Sequence, residues 1–252
     1  MTLVIALAMG SLVGLVLGVF GSGGSVLAVP ILVYVMGIEV KSAIAMSLVI
    51  VGITAMTGSV LQWRQKTFCL KAAVFFSLIG IVGALVGAWL AMKVSAILQL
   101  FIFGLVMVIA AIGTMLKKEP DTEAGHDECY IRPDLASGLG AGVGVLTGFL
   151  GVGGGFLIVP ALNSVGNLKL RLAIGTSLFI ISVNCAAGVV GYWGRVDFHW
   201  PLTFTFVIFS ALASLLGVKL ARKLPVRILR KAFSIFILLL GIGLIVKNGL
   251  LL

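Results

Sequence analysis

The chain has 252 residues, 61% of them hydrophobic and only 10% charged, with a mean hydropathy of +1.26. A soluble domain carries about 25% charged residues, so this is the composition of an integral membrane protein. The net charge of +10 would suggest nucleic acid in a soluble protein. Here it is the basic signal at helix ends that orients membrane spans, so the expected partner is the lipid bilayer and no nucleic acid.

The chain opens on an apolar run, Met1 to Met36, with no Lys or Arg ahead of it and no A-x-A site. It is expected to remain as structure rather than be removed as a signal peptide. Within it, Gly18 to Pro30 reads GVFGSGGSVLAVP. Charge-free stretches follow at Ser42–Gln62, Ala72–Met92 and Ser95–Leu116. The polar segment KKEPDTEAGHDECYIRP then holds five of the eight acidic residues. After it come Leu135–Val165, containing GFLGVGGGFLIVP from Gly148 to Pro160, then Leu172–Gly194, Phe198–Val218 and Ala232–Val246. A spanning helix needs about 20 apolar residues; the last stretch reaches that with its flanks. The runs lack the alternating polarity of barrel strands, so they predict helices. Cys69, Cys129 and Cys185 form no C-x-x-C and there are no paired histidines. Neither a disulfide framework nor a metal site is expected, and no cofactor.

Shifted by 130 positions, the sequence aligns with itself without a gap. Gly14, Gly18, Gly21, Gly23, Gly24, Val29 and Pro30 fall on Gly144, Gly148, Gly151, Gly153, Gly154, Val159 and Pro160. AIAMSL at Ala43–Leu48 meets AIGTSL at Ala173–Leu178, Trp63 meets Trp193, and Gly87 meets Gly217. The expected organisation is two homologous membrane repeats, residues 1–118 and 132–252, joined by a polar cytoplasmic linker at 119–131. The fold class is then an all-α integral membrane protein in which each repeat has a glycine-broken first segment and three transmembrane helices.

Charge decides how the halves face. If both broken segments cross the membrane, the basic residues divide 8 to 10 and no orientation is favoured. If both are re-entrant, Lys41, Lys93, Arg195 and Lys247 face the other 14 Lys and Arg. The positive-inside rule prefers this second arrangement, which puts the linker in the cytoplasm, both termini outside, and the repeats in inverted orientation. Because nothing before Glu39 is charged, a spanning first segment with the N-terminus inside gives the same division, provided the second segment returns.

Glycine weakens a helix by about 1 kcal/mol relative to alanine, so two dense clusters in apolar stretches need a reason. Backbone that is not helical survives at membrane depth only where it is buried in protein or lines a cavity. Gly21, Ser22, Gly23, Gly24 and Ser25, with Gly151, Gly153, Gly154 and Gly155, are expected to break the helices. Each break would offer free N–H groups to an anion near the midplane. The alternative is close helix packing, which Gly14-x-x-x-Gly18 and Gly144-x-x-x-Gly148 also fit. Ser47 and Ser177 are repeat equivalents, and with Thr176 and Asn184 they are the further candidates for contacting substrate. A serine or threonine in such a helix can instead bond its own backbone. Trp63 and Trp193 suit an interfacial belt, with Arg64 or Arg195 guarding an anion entrance as the sharper reading.

The G-x-x-G-x-G-G phrase, its copy after the linker and the following V-P resemble the TauE/SafE family of sulfite and organosulfur-anion exporters, over essentially the whole chain. Ser22 and Ser25 depart from the glycine pattern. The resemblance implies a multi-pass secondary transporter of the plasma membrane, moving sulfite, sulfonates or thiosulfate. The residues agree with that class: no carboxylate lies in the spans, as a cation carrier would usually require, whereas neutral N–H and hydroxyl donors can hold an anion. No catalytic constellation exists at depth, since His126 lies in the linker and His199 near a helix end, so the protein is not expected to be an enzyme. A passive anion channel remains the alternative to a carrier, and a membrane-embedded enzyme or an assembly partner for one is the third reading.

Overall fold

The computed structural model describes residues 2–20, 25–64, 68–116, 133–164, 168, 170–221 and 226–250. Gly21, Ser22, Gly23, Gly24 and the 119–131 linker lie outside the described residues. Every element among those described is helical: α1 (Thr2–Phe20), α2 (Ala28–Pro30, continued by a π-helical turn at Ile31–Val35), α3 (Val40–Arg64), α4 (Leu70–Lys93), α5 (Ala96–Leu116), α6 (Pro133–Leu150), α7 (Gly155–Ser164), α8 (Leu170–Tyr192), α9 (Trp200–Ala221) and α10 (Val226–Gly249). Six are long and apolar enough to cross a membrane, the spans lying in α3, α4, α5, α8, α9 and α10. Under the 130-residue offset α1 corresponds to α6, residues 28–35 to α7, α3 to α8, α4 to α9 and α5 to α10.

The helices are apolar on the outside and small-residued within. Leu78, Val82, Ile109 and Leu216 are each more than 60% exposed, which suits a surface solvated by lipid. Facing inward, α4 buries Ala72, Ala73, Ser77, Gly80, Gly83, Ala84, Gly87, Ala88 and Ala91. Lipid gives apolar side chains no reason to leave it, so helices in a membrane associate through close van der Waals contact, and small residues permit that. The main helix pairs are α1–α9, α4–α6, α5–α10, α3–α8, α4–α8 and α3–α9. Each joins a helix before the linker to one after it. The two segments interlace.

The glycine contacts give the helix directions. Along α4 and α6, Gly140 lies against Phe76, Gly144 against Gly80 and Gly148 against Ala84, so the two run parallel. Along α4 and α8, Cys69 N donates to Thr176 Oγ1 at 3.1 Å, Asn184 lies on Gly80 and Gly191 on Ala88, which is parallel again. Gly10, Gly14 and Gly18 of α1 meet Phe206, Ser210 and Ser214 of α9 in the same sense. In contrast α3 and α8 are antiparallel, with Leu48 on Gly188, Gly52 on Cys185 and Gly58 on Leu178. The α5–α10 pair is antiparallel too, Gly104 lying on Gly241 and Phe101 on Gly249. Gly14, Gly18, Gly144 and Gly148 thus stand at helix crossings, the role that the packing alternative assigned them.

Candidate functional site: the glycine break between α6 and α7

The chain leaves α6 at Leu150 and enters α7 at Gly155. In between, Gly151, Gly153 and Gly154 have φ of +72°, +67° and +63°. A residue with a side chain pays roughly 1–2 kcal/mol in that region, which is why the break is written in glycine. Residues 151–155 are all buried. They are wedged against α3 and α8 near their crossing: a Cβ on Gly151 would come within 2.8 Å of Ser47 Oγ, and one on Gly153 within 2.8 Å of Val51 and 2.9 Å of Ile181. A Cβ on Gly154 would strike Thr147 Oγ1 at 2.5 Å.

Ending a helix inside a membrane orphans its last carbonyls, which water cannot reach. Here three of the last four find a donor. Gly151 N bonds Thr147 O at 2.9 Å, Tyr192 Oη donates to Gly148 O at 3.0 Å, and Gln99 Nε2 donates to Phe149 O. On the far side Leu157 N and Ile158 N share Gly154 O, each at 3.0 Å. Among the described residues this leaves the N–H groups of Val152, Gly153 and Gly154 without a backbone acceptor. Successive N–H groups in a turn containing left-handed residues form a concavity suited to an anion.

Of the residues expected to bind substrate, the structure brings Ser47 to Gly151, at the start of the break that Gly153, Gly154 and Gly155 continue. The Ser47 hydroxyl lies 2.7 Å from Ile44 O and 2.6 Å from Gly151 O; with one proton it serves one at a time. Ser177, its equivalent, bonds Ile174 O of its own helix at 2.8 Å. Ser25 is fully buried at the start of the short helix that precedes Ile31. Thr176 is fully buried and accepts from Cys69 N, at the N-cap of α4. Asn184 is buried against Gly80 of α4. It precedes Cys185, whose sulfur would lie 3.4 Å from a Cβ on Gly153, so its amide points about 100° round α8 from the side facing the break.

Sequence reasoning passed over Gln99 and Tyr192, both fully buried, although a lone amide inside Ser95–Leu116 was a signal. Cys69 is disulfide-bonded, which corrects the expectation that the cysteines form no disulfide framework; spacing along the chain does not say which thiols folding brings together. Cys185 is free. No group of three or more His, Cys, Asp and Glu that could hold a metal occurs among the described residues. Trp63 and Trp193 are 60% and 63% exposed, and each packs on its nearby phenylalanine, Phe68 at 5.6 Å and Phe198 at 6.0 Å between ring centroids.

A protein family described as "Sulfite exporter TauE/SafE" matches residues 6–244. A "Probable membrane transporter protein" of Xylella fastidiosa is 29% identical over 252 residues, covering 98% of this chain and 96% of that protein. "Probable membrane transporter protein YunE" of Bacillus subtilis is 24% identical, with 98% and 99% covered. A Haemophilus influenzae protein with the same description as the first is 28% identical, with 97% and 98% covered.

Proposed function

Because the chain belongs to the TauE/SafE family, a family of membrane transporters rather than enzymes, we propose that it is a secondary carrier of small sulfur-containing anions such as sulfite, sulfonates or thiosulfate. The observation that carries the site assignment is the buried break at Gly151–Gly154, with its left-handed glycines and the N–H groups of Val152, Gly153 and Gly154 left over after the helix ends are paired. Ser47 adds a hydroxyl that can exchange Gly151 O for an anion's oxygen. By the 130-residue correspondence, Gly21, Ser22, Gly23, Gly24 and Ser25 are assigned the same role in the first half, and Ser177 the role of Ser47. Neutral donors suit a carrier that must also release its anion.

Both broken segments return to the side they left, and the halves are inverted. This reading is supported by α6 and α8, which run parallel to the same α4, so the chain turns back between them through α7. In the first half α1 runs parallel to α9, and α9 reverses α8 through a short turn; α8 opposes α3, so α1 and α3 share a direction. The same directions put Lys41, Lys93, Arg195 and Lys247 at one end of the bundle and Arg64, Lys71, Lys219 and Lys231 at the other, the division that the positive-inside rule prefers. Alternating access then consists of one half rocking against the other around the two breaks.

The test is flux of radiolabelled sulfite, sulfonates, sulfate and thiosulfate in reconstituted vesicles, with and without a pH gradient. Saturable movement of at least one sulfur anion is expected. Vesicles that move none of them faster than protein-free controls would refute the proposal.

A further inference from the structure

We propose that Tyr192 and Gln99 are positioning residues for the anion: each occupies a carbonyl that would otherwise hold an N–H group of the break, and so keeps that N–H free to bind. The proposal rests on the assignment of the anion to the break at Gly151–Gly154. In an unbroken α-helix each carbonyl accepts from the N–H four residues further on. The bond from Gly151 N to Thr147 O, at 2.9 Å, is the last of that kind as α6 ends. Next in line are the carbonyls of Gly148 and Phe149, whose helical donors would be Val152 N and Gly153 N. Their donors here are Tyr192 Oη, at 3.0 Å from Gly148 O, and Gln99 Nε2 on Phe149 O. The substitution is one for one. The phenol stands in for the Val152 N–H and the amide for the Gly153 N–H, two of the groups left without a backbone acceptor.

Both side chains are polar groups kept in a fully buried place. Tyr192 is the last residue of α8, Gln99 lies in the first turn of α5, and the two are hydrogen-bonded to each other. Gln99 is held there at a cost, because its Oε1 has no partner and a buried acceptor left unpaired is unfavourable. What the amide supplies in return is its N–H. A carbonyl that loses its stand-in competes with the anion for the N–H it would hold in a helix, so the number of donors offered to the anion depends on two residues that do not touch it. Under the 130-residue offset Gln62 stands for Tyr192 and Leu229 for Gln99. The pair therefore belongs to the second break.

The experiment compares the full-length protein with Tyr192→Phe, which removes the hydroxyl and keeps the packed ring. In vesicles, the half-saturating concentration of a transported sulfur anion should rise roughly 10- to 100-fold, the value of one donor to a charged group, while the maximal rate stays close to that of the wild type. Gln99→Leu, the second variant, should shift half-saturation in the same direction. In detergent without sulfur anions, hydrogen–deuterium exchange of a peptide spanning Val152–Gly154 should be slower in Tyr192→Phe than in the wild type, because Gly148 O takes back the Val152 N–H. A role confined to capping α6 predicts a lower maximal rate or a lower yield of folded protein at unchanged half-saturation. That result, or exchange no slower than in the wild type, overturns the proposal. Wild-type vesicles that move no sulfur anion, together with slowed exchange in Tyr192→Phe, would refute the carrier proposal and leave the exchange of donors standing.

Discussion

The α4–α6 seam and its equivalent, α9–α1, share most of their glycines, whereas α4–α8 and its equivalent, α9–α3, carry different polar residues. Gly14 matches Gly144, Gly18 matches Gly148 and Gly87 matches Gly217, and at every one an added Cβ would run into the partner's backbone. Against that, Asn184 matches Thr54 and Ser77 matches Val207, and outside these seams Gln99 of α5, which supports the end of α6, matches Leu229. Close backbone approach is a demand that the same geometry makes in both halves, so it is met twice in the same way. A ligand or a helix end is a local demand. In these two pairs of seams the matched glycines pack, and the unmatched polar groups answer to demands of one half.

The strongest way to break that comparison is to treat equivalent glycines alike. Gly148→Leu and Gly18→Leu should each abolish the folded protein, because the side chain would strike the backbone of Ala84 in one and of Ser214 in the other. Effects above about 4 kcal/mol, enough to unfold a marginally stable protein, are reserved for such mechanisms. The yield of monodisperse protein in detergent reads this. A well-folded Gly18→Leu beside an unfolded Gly148→Leu would end the equivalence of the seams. Bulky substitutions at Gly151, Gly153 or Gly154 are poor probes of binding for the same reason: the space an added side chain would take is already filled by Ile44, Val51 and Val143.

Next in size are the serines. Ser47→Ala and Ser177→Ala should each raise the half-saturating anion concentration by roughly 10- to 100-fold, the value of one hydrogen bond to a charged group. Half-saturation at the wild-type level in both would mean that these hydroxyls only serve the carbonyls of Ile44 and Ile174. Smaller still, Gln99→Leu leaves Phe149 O unpaired in a buried place and should cost about 1–3 kcal/mol of stability. Thermal unfolding measures it, and an unaltered midpoint would remove Gln99 from the support of the break. At the bottom of the scale, Leu78→Val on the lipid face should change stability by no more than about 0.5 kcal/mol. A larger loss would show that this face packs on protein.

Much of the architecture is legible in the residues because the constraints behind it are local. Apolar length marks the spans, the offset between Gly14–Pro30 and Gly144–Pro160 marks the correspondence, and glycine density marks the break at Gly151–Gly154. The support of that break is not legible. Gln99, Tyr192 and Phe149 are far apart in sequence, and nothing in their neighbours says that an amide and a phenol will cap the same helix end. The expectation for Thr176 rested on depth alone, while its partner, Cys69 N, is set by the parallel register of α4 and α8. Helix direction, which the distribution of Lys and Arg suggests, is read pair by pair from which glycine meets which residue. Cys69 shows the same limit, since pairing of thiols follows the fold and not the spacing.

The central claim is that one anion site, built on buried glycine breaks, is reached alternately from the two sides of the membrane. Counterflow tests it most directly. Vesicles containing the protein and preloaded with unlabelled sulfite should take up labelled sulfite faster than empty ones, transiently above the equilibrium level, because the returning carrier is loaded. Uptake that is indifferent to preloading and grows linearly with concentration would contradict the account and identify a passive pore.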